Sequence, residues 1–128
     1  MRSLVLVCVT LLGAVATPVG ATQSRWIFYD RANGVDVFYS VVIRADEARV
    51  AWRCVNNTDE QRSCSVGAGR DKAYRCTNDG LPRGITSMPG ERASVPPKGE
   101  YVFPSDWACR GLGANEVEPY GVRISIER

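Results

Sequence analysis

Beyond its first 21 residues the chain carries eleven Val and five Ile but only two Leu, Leu81 and Leu112. Helical cores are built on Leu with Ala, Met and Glu, whereas β-branched side chains lose χ1 freedom in a helix and fit a pleated surface. The chain therefore reads as strands. Alternation agrees most cleanly near the C-terminus, where Val122, Ile124 and Ile126 share one face and Arg123, Ser125 and Glu127 the other, the pattern of a strand with one wet face.

Earlier segments repeat this pattern. Trp26 to Tyr29 and Val35 to Ile43 flank an Asn33-Gly34 step, which tolerates positive φ and predicts a hairpin. In the second of these strands Val35, Val37, Tyr39, Val41 and Ile43 share one face, yet Phe38 and Val42 lie on the other, so its outer face is expected to be covered or buried. Arg49 to Val55, Arg62 to Ala68 and Lys72 to Cys76, joined by polar turns, read as a three-strand meander. Asp79-Gly80 and Leu81-Pro82-Arg83-Gly84 then break the pattern, and Gly90, Pro96-Pro97 and Gly99 confine the next strands to Ala93–Val95 and Glu100–Phe103. Residues 105–119 have no usable period and read as an irregular loop. Seven or eight short strands imply an all-β fold, an antiparallel β-sandwich of immunoglobulin-like size, with a small β-barrel as the alternative.

The first residues read as an address. Arg2 precedes an apolar run from Leu4 to Ala16 that ends in small residues, the layout of a secretory signal peptide and too short to span a bilayer. Cleavage is expected after Ala21, or next after Ala16, leaving residues 22–128 as a single exported domain, periplasmic or extracellular. Cys8 is lost with the peptide, so Cys54, Cys64, Cys76 and Cys109 remain, an even number suited to two disulfides in an oxidising compartment. Without a Cys-x-x-Cys pair a zinc site is not expected. Trp52 with Cys54, Cys64 with Val66, and Tyr74 with Cys76 place each sulfur on the face of a large apolar neighbour, so these cysteines point inward. Of the three possible pairings the preferred one is Cys54–Cys64 with Cys76–Cys109, because a bond from Cys109 ties the irregular loop back to the sheet, worth roughly 3 to 4 kcal/mol.

Several chemistries are missing. The chain has no histidine, which removes Ser-His-Asp and Cys-His nucleophiles, histidine-ligated metals and an imidazole switch. With Arg2 removed the balance is 15 basic against 14 acidic residues, or +1, so no global field draws the domain to nucleic acid or a membrane. Fourteen Arg against two Lys suits bidentate and stacked contacts, although the arginines are spread along the chain, as base composition alone would leave them. Two-carboxylate glycoside hydrolysis needs no histidine, but Asp46-Glu47 and Asp59-Glu60 lie in predicted turns, Glu116 and Glu118 lie in the predicted loop, and so small a sandwich seldom builds a deep cleft. No Asp-x-Asp-x-Asp calcium loop is present. No enzymatic activity and no cofactor are expected. Asn56-Asn57-Thr58 matches a glycosylation acceptor or is a polar turn.

What remains is contact chemistry. The segment Tyr101 to Gly111 holds three aromatics and an arginine beside a disulfide anchor, and Trp, Tyr and Arg dominate binding hot spots. The candidate binding residues are Tyr101, Phe103, Asp106, Trp107 and Arg110; the plain alternative is that Phe103 and Trp107 fill the end of the sandwich and Arg110 pairs with Asp106. The expected partner is another exported or cell-surface protein. Carbohydrate is the second possibility, stacked on Trp107 beside Asp106 and Arg110, or on Trp26 with Tyr29.

Overall fold

The computed structural model describes residues 21–44, 47–68, 73–78, 81–86, 90–110 and 114–128. The described residues form an antiparallel β-sandwich of eleven strand segments: β1 (Ala21–Gln23), β2 (Ile27–Ala32), β3 (Val35–Arg44), β4 (Glu47–Asn56), β5 (Arg62–Ala68), β6 (Tyr74–Asn78), β7 (Leu81–Thr86), β8 (Glu91–Val95), β9 (Glu100–Arg110), β10 (Ala114–Pro119) and β11 (Val122–Glu127). The expected apolar leader and the polar turn expected between Ala68 and Lys72 lie outside the described residues.

One layer has the order β1-β3-β4-β9, with β2 following β1 along the same edge of β3. Between β1 and β2, Ser24 keeps hold of β3, its amide donating to Val41 O at 2.8 Å and its carbonyl accepting the Ser40 hydroxyl at 2.7 Å. The predicted hairpin joins β2 to β3. Asn33 and Gly34 adopt φ of 47° and 79°, and a Cβ at Gly34 would collide with the Thr58 methyl, so glycine is required there by both backbone and space.

The other layer consists of β10-β6-β7 and β11-β5-β8. In both halves the strand preceding residue 79 is central, flanked by residues 114–127 on one side and 81–95 on the other. Tyr120 N, donating to Ala73 O at 2.6 Å, carries the pairing across the break between halves. Among the described residues the sheets are open, as in a sandwich.

Both disulfides are the expected ones, Cys54–Cys64 and Cys76–Cys109. Their role differs from a bond within one hairpin. β4 does not pair with β5, so the meander is not formed: the chain crosses from one layer to the other after Asn56, and each disulfide staples layer to layer. Two segments read as breaks are strands. Leu81-Pro82-Arg83-Gly84 starts β7 at a sheet edge, where proline is tolerated. The supposed loop over residues 105–119 is the second half of β9 followed by β10; register shifts opposite Val50 to Trp52 and between Ala114 and Glu116 interrupt their period.

The core is the inner face of both layers: Val35, Val37, Val50, Cys54, Cys64, Val66 and Val95 are buried, as is the indole of Trp52. Trp52 meets the Tyr29 ring at 5.2 Å, edge to face, and its Nε1 donates to the Tyr74 hydroxyl across the sandwich at 2.7 Å. Burial pushes the Tyr74 phenol up to about 12, and the indole bond only partly opposes it.

Candidate functional site

The two layers present opposite kinds of outer surface. On the β5 layer the outward residues in register are Ser125, Ser65 and Arg92 in one row and Glu127, Ser63 and Ser94 in the next. Such polar side chains need no cover. On the β3–β4 layer one outward row reads Phe28, Phe38, Arg53 and Val102 across β2, β3, β4 and β9, and a second, about 13 Å further along the strands at 3.3 Å per residue, reads Gln23, Val42, Arg49 and Trp107.

The first row is organised around Arg53. Its guanidinium lies 5.8 Å from the Trp26 ring and 5.7 Å from the Phe38 ring, a stacked cation, and Nε donates to Glu100 at 2.9 Å. Phe28 meets Phe38 edge to face at 5.8 Å. Trp26 reaches Arg53 by crossing over β3, and beneath that crossing the small outward residues Ser40 and Ala51 are buried. Phe28 is 55% exposed, Val102 45% and Trp107 37%. Three arginines of the face each meet a carboxylate, Arg31 with Asp36, Arg49 with Glu47 and Arg53 with Glu100, while Arg44 and Arg110 stand in register with Glu47 on the same side. The Arg31 guanidinium holds the Asp36 carboxyl below its ordinary range.

The residues singled out on β9 do not converge. Trp107 belongs to this outer face, opposite Arg49. Phe103 is a core ring, opposite Trp52 and 3% exposed. Tyr101 stands at the strand's beginning with its ring edge on Phe103, 5.0 Å between centroids. The Asp106 carboxylate accepts the Trp107 amide at 2.8 Å. Arg110 pairs with Glu47 in register, and its side chain lies outside those described. Trp26 and Tyr29 do not form a common platform either, because Tyr29 turns inward to Trp52 and donates to Val122 O at 2.8 Å.

Sequence reasoning missed Trp26, Phe28, Phe38 and Arg53 as a group. Its one usable signal was the presence of Phe38 and Val42 on the outward parity of β3; what assembles the cluster is the β2–β3–β4–β9 register, which no local pattern contains. Asn56 also resolves differently from an acceptor site. It is 1% exposed, its Nδ2 directed at Glu60 O, Val95 O and Pro96 O at 2.8 to 3.1 Å and its Oδ1 accepting from Thr58 N and Oγ1. In the folded chain Asn-x-Thr is a turn brace.

Comparison of the chain with family models, with curated proteins and with solved structures finds no match.

Proposed function

We propose that the protein is an exported, non-enzymatic binding module that engages another exported or cell-surface protein through the outer face of the β2–β3–β4–β9 sheet. The observation that carries this reading is the asymmetry of the two outer faces: one is made of Ser, Arg and Glu, the other of Phe28, Phe38 and Val102 around a stacked Arg53, with Trp107 further along the strands. A soluble domain gains nothing from leaving phenylalanine in water, and large exposed apolar patches mark interaction surfaces. Aromatic and arginine anchors bounded by charge pairs are the composition of a protein-binding hot spot. The pairing of Arg31, Arg49 and Arg53 with carboxylates supports a protein surface of mixed charge as the partner.

The test is affinity capture from the native exported fraction with the oxidised protein, a Phe28→Ser/Val102→Ser variant and a Ser65→Arg variant, followed by reconstitution of the captured pair. The expected result is one protein held by the parent and by Ser65→Arg but weakened at least about 30-fold, or roughly 2 kcal/mol, by the double substitution. A partner lost only with Ser65→Arg, or held equally by all three, overturns the assignment, as does saturable binding to a glycan panel with no protein partner.

A further inference from the structure

The layers are not superposed evenly along their length. In the half containing β11, β5 and β8, the covering strands lie over β2, β4 and β9, and the open side is closed by side chains: Tyr29 Oη donates to Val122 O and Asn33 Nδ2 to Ile126 O, each at 2.8 Å. In the half containing β10, β6 and β7 the covering layer is shifted toward β9, with β6 over β9 and held there by Cys76–Cys109. Its edge strand β10 comes to lie over β3, β4 and β9 rather than over β1. The inner face of β3 is left partly bare. Val35 and Val37 are 0% exposed, but Tyr39, Val41 and Ile43, on the same face of the same strand, are only half-buried and floor a groove of about 830 Å³.

We propose that this groove binds an extended peptide segment with apolar side chains at alternate positions and a basic residue among them. It is a site separate from the outer aromatic face and does not depend on that reading. Three observations specify the occupant. Tyr39, Val41 and Ile43 repeat every second residue, about 6.6 Å apart, the interval at which another extended chain presents its own alternate side chains. The groove runs between two sheet edges, β1, which pairs only with β3, and β10, which pairs only with β6 among the described residues; unpaired edges are what an added strand engages. The rim is acidic. Glu118 meets Arg75 at 3.1 Å, whereas Glu116 accepts only the Thr77 hydroxyl, at 3.1 Å, and no cation lies within ion-pair distance of it among the described residues.

The oxidised protein is titrated with a capped eight-residue peptide alternating valine and lysine, followed by amide chemical shifts and calorimetry. Binding is expected with shifts confined to β1, the second half of β3 and β10, weakened at least tenfold by alternating valine with glutamate, by N-methylation of alternate peptide residues, or by Glu116→Lys in the protein. Absence of saturable binding up to roughly 1 mM overturns the proposal. So does equal binding of the N-methylated peptide, which marks an amphiphile held without strand pairing. A complex abolished by Phe28→Ser but untouched by Glu116→Lys places the peptide on the outer face and also overturns it.

Discussion

The two ends of the sandwich share β3, β4 and β9 and are each stapled by one disulfide, yet they close differently. At the end where β3 begins, buried polar groups join the layers beside Cys54–Cys64. Asn56, at the end of β4, binds the turn that follows it and the segment leading into β9; Asn33 reaches β11; and Arg62, 8% exposed, donates to Glu60 at 2.9 Å and to Asn33 O at 3.3 Å. At the end where β3 finishes, the inward side chains continue in the same alternation, but the covering layer is displaced and a disulfide ties it only on the β9 side. Closure is therefore not a property of the hydrophobic period. It depends on whether the opposing layer stands in line and whether buried polar groups find partners across the gap.

The largest effect expected from breaking this contrast is at Asn56. Asn56→Ala leaves carbonyls of Glu60, Val95 and Pro96 and the Thr58 amide without their buried partner, and is expected to cost about 3 kcal/mol or more in denaturant unfolding. Asn57→Ala, one residue away, removes only an exposed bond to Asp36 at 3.1 Å and is expected to stay within about 0.5 kcal/mol. Equal losses for the two would show that the closed end is not held through Asn56.

Much of this closed end was legible in the sequence, and the open end was not. Asn33-Gly34 announced its turn because the φ requirement is local, and the inward cysteines followed from parity with Trp52, Val66 and Tyr74. Their pairing was legible too, though not its meaning: separation along the chain cannot tell a bond within a hairpin from one between layers. The second half of β9 was hidden because bulges, together with Pro104, break its period, and the aromatic cluster of Trp26, Phe28, Phe38 and Arg53 was hidden because it is a property of register across four strands. The groove is hidden more deeply still. Tyr39, Val41 and Ile43 look in sequence like Val35 and Val37, and only the lateral offset of the other layer separates them.

Tyr74, whose hydroxyl spans the layers to Trp52, gives a smaller effect with a defined pH window. An unfolded tyrosine loses its proton near pH 10, whereas burial holds that of Tyr74 to about 12. Between these values the unfolded chain binds fewer protons than the folded one, so stability falls as pH rises, by about 2 to 3 kcal/mol across the window, and is unaffected below it. Tyr39, at the open end, shifts in the same direction, through burial and the charge of Glu118. Stability measured from pH 8 to 12 is expected to decline less steeply in Tyr74→Phe than in the parent; equal slopes would mean that Tyr74 is not shielded at the centre of the sandwich.

The finest test makes one chemical change at both ends of one strand face. Val37 and Val41 are both inward on β3, four residues apart, the first fully buried and the second at the groove. At Val37, removing two methyls opens a cavity that close-packed neighbours cannot fill, expected to cost about 2 kcal/mol. At Val41 water already reaches the site, so the same truncation forfeits only part of the transfer energy, about 1 kcal/mol or less. The difference of roughly 1 kcal/mol between two Val→Ala substitutions measures the offset of the layers in solution. If the Val41→Ala cost rises to that of Val37→Ala, the groove is closed in the free protein, and a strand could enter only by first prising β10 from β3.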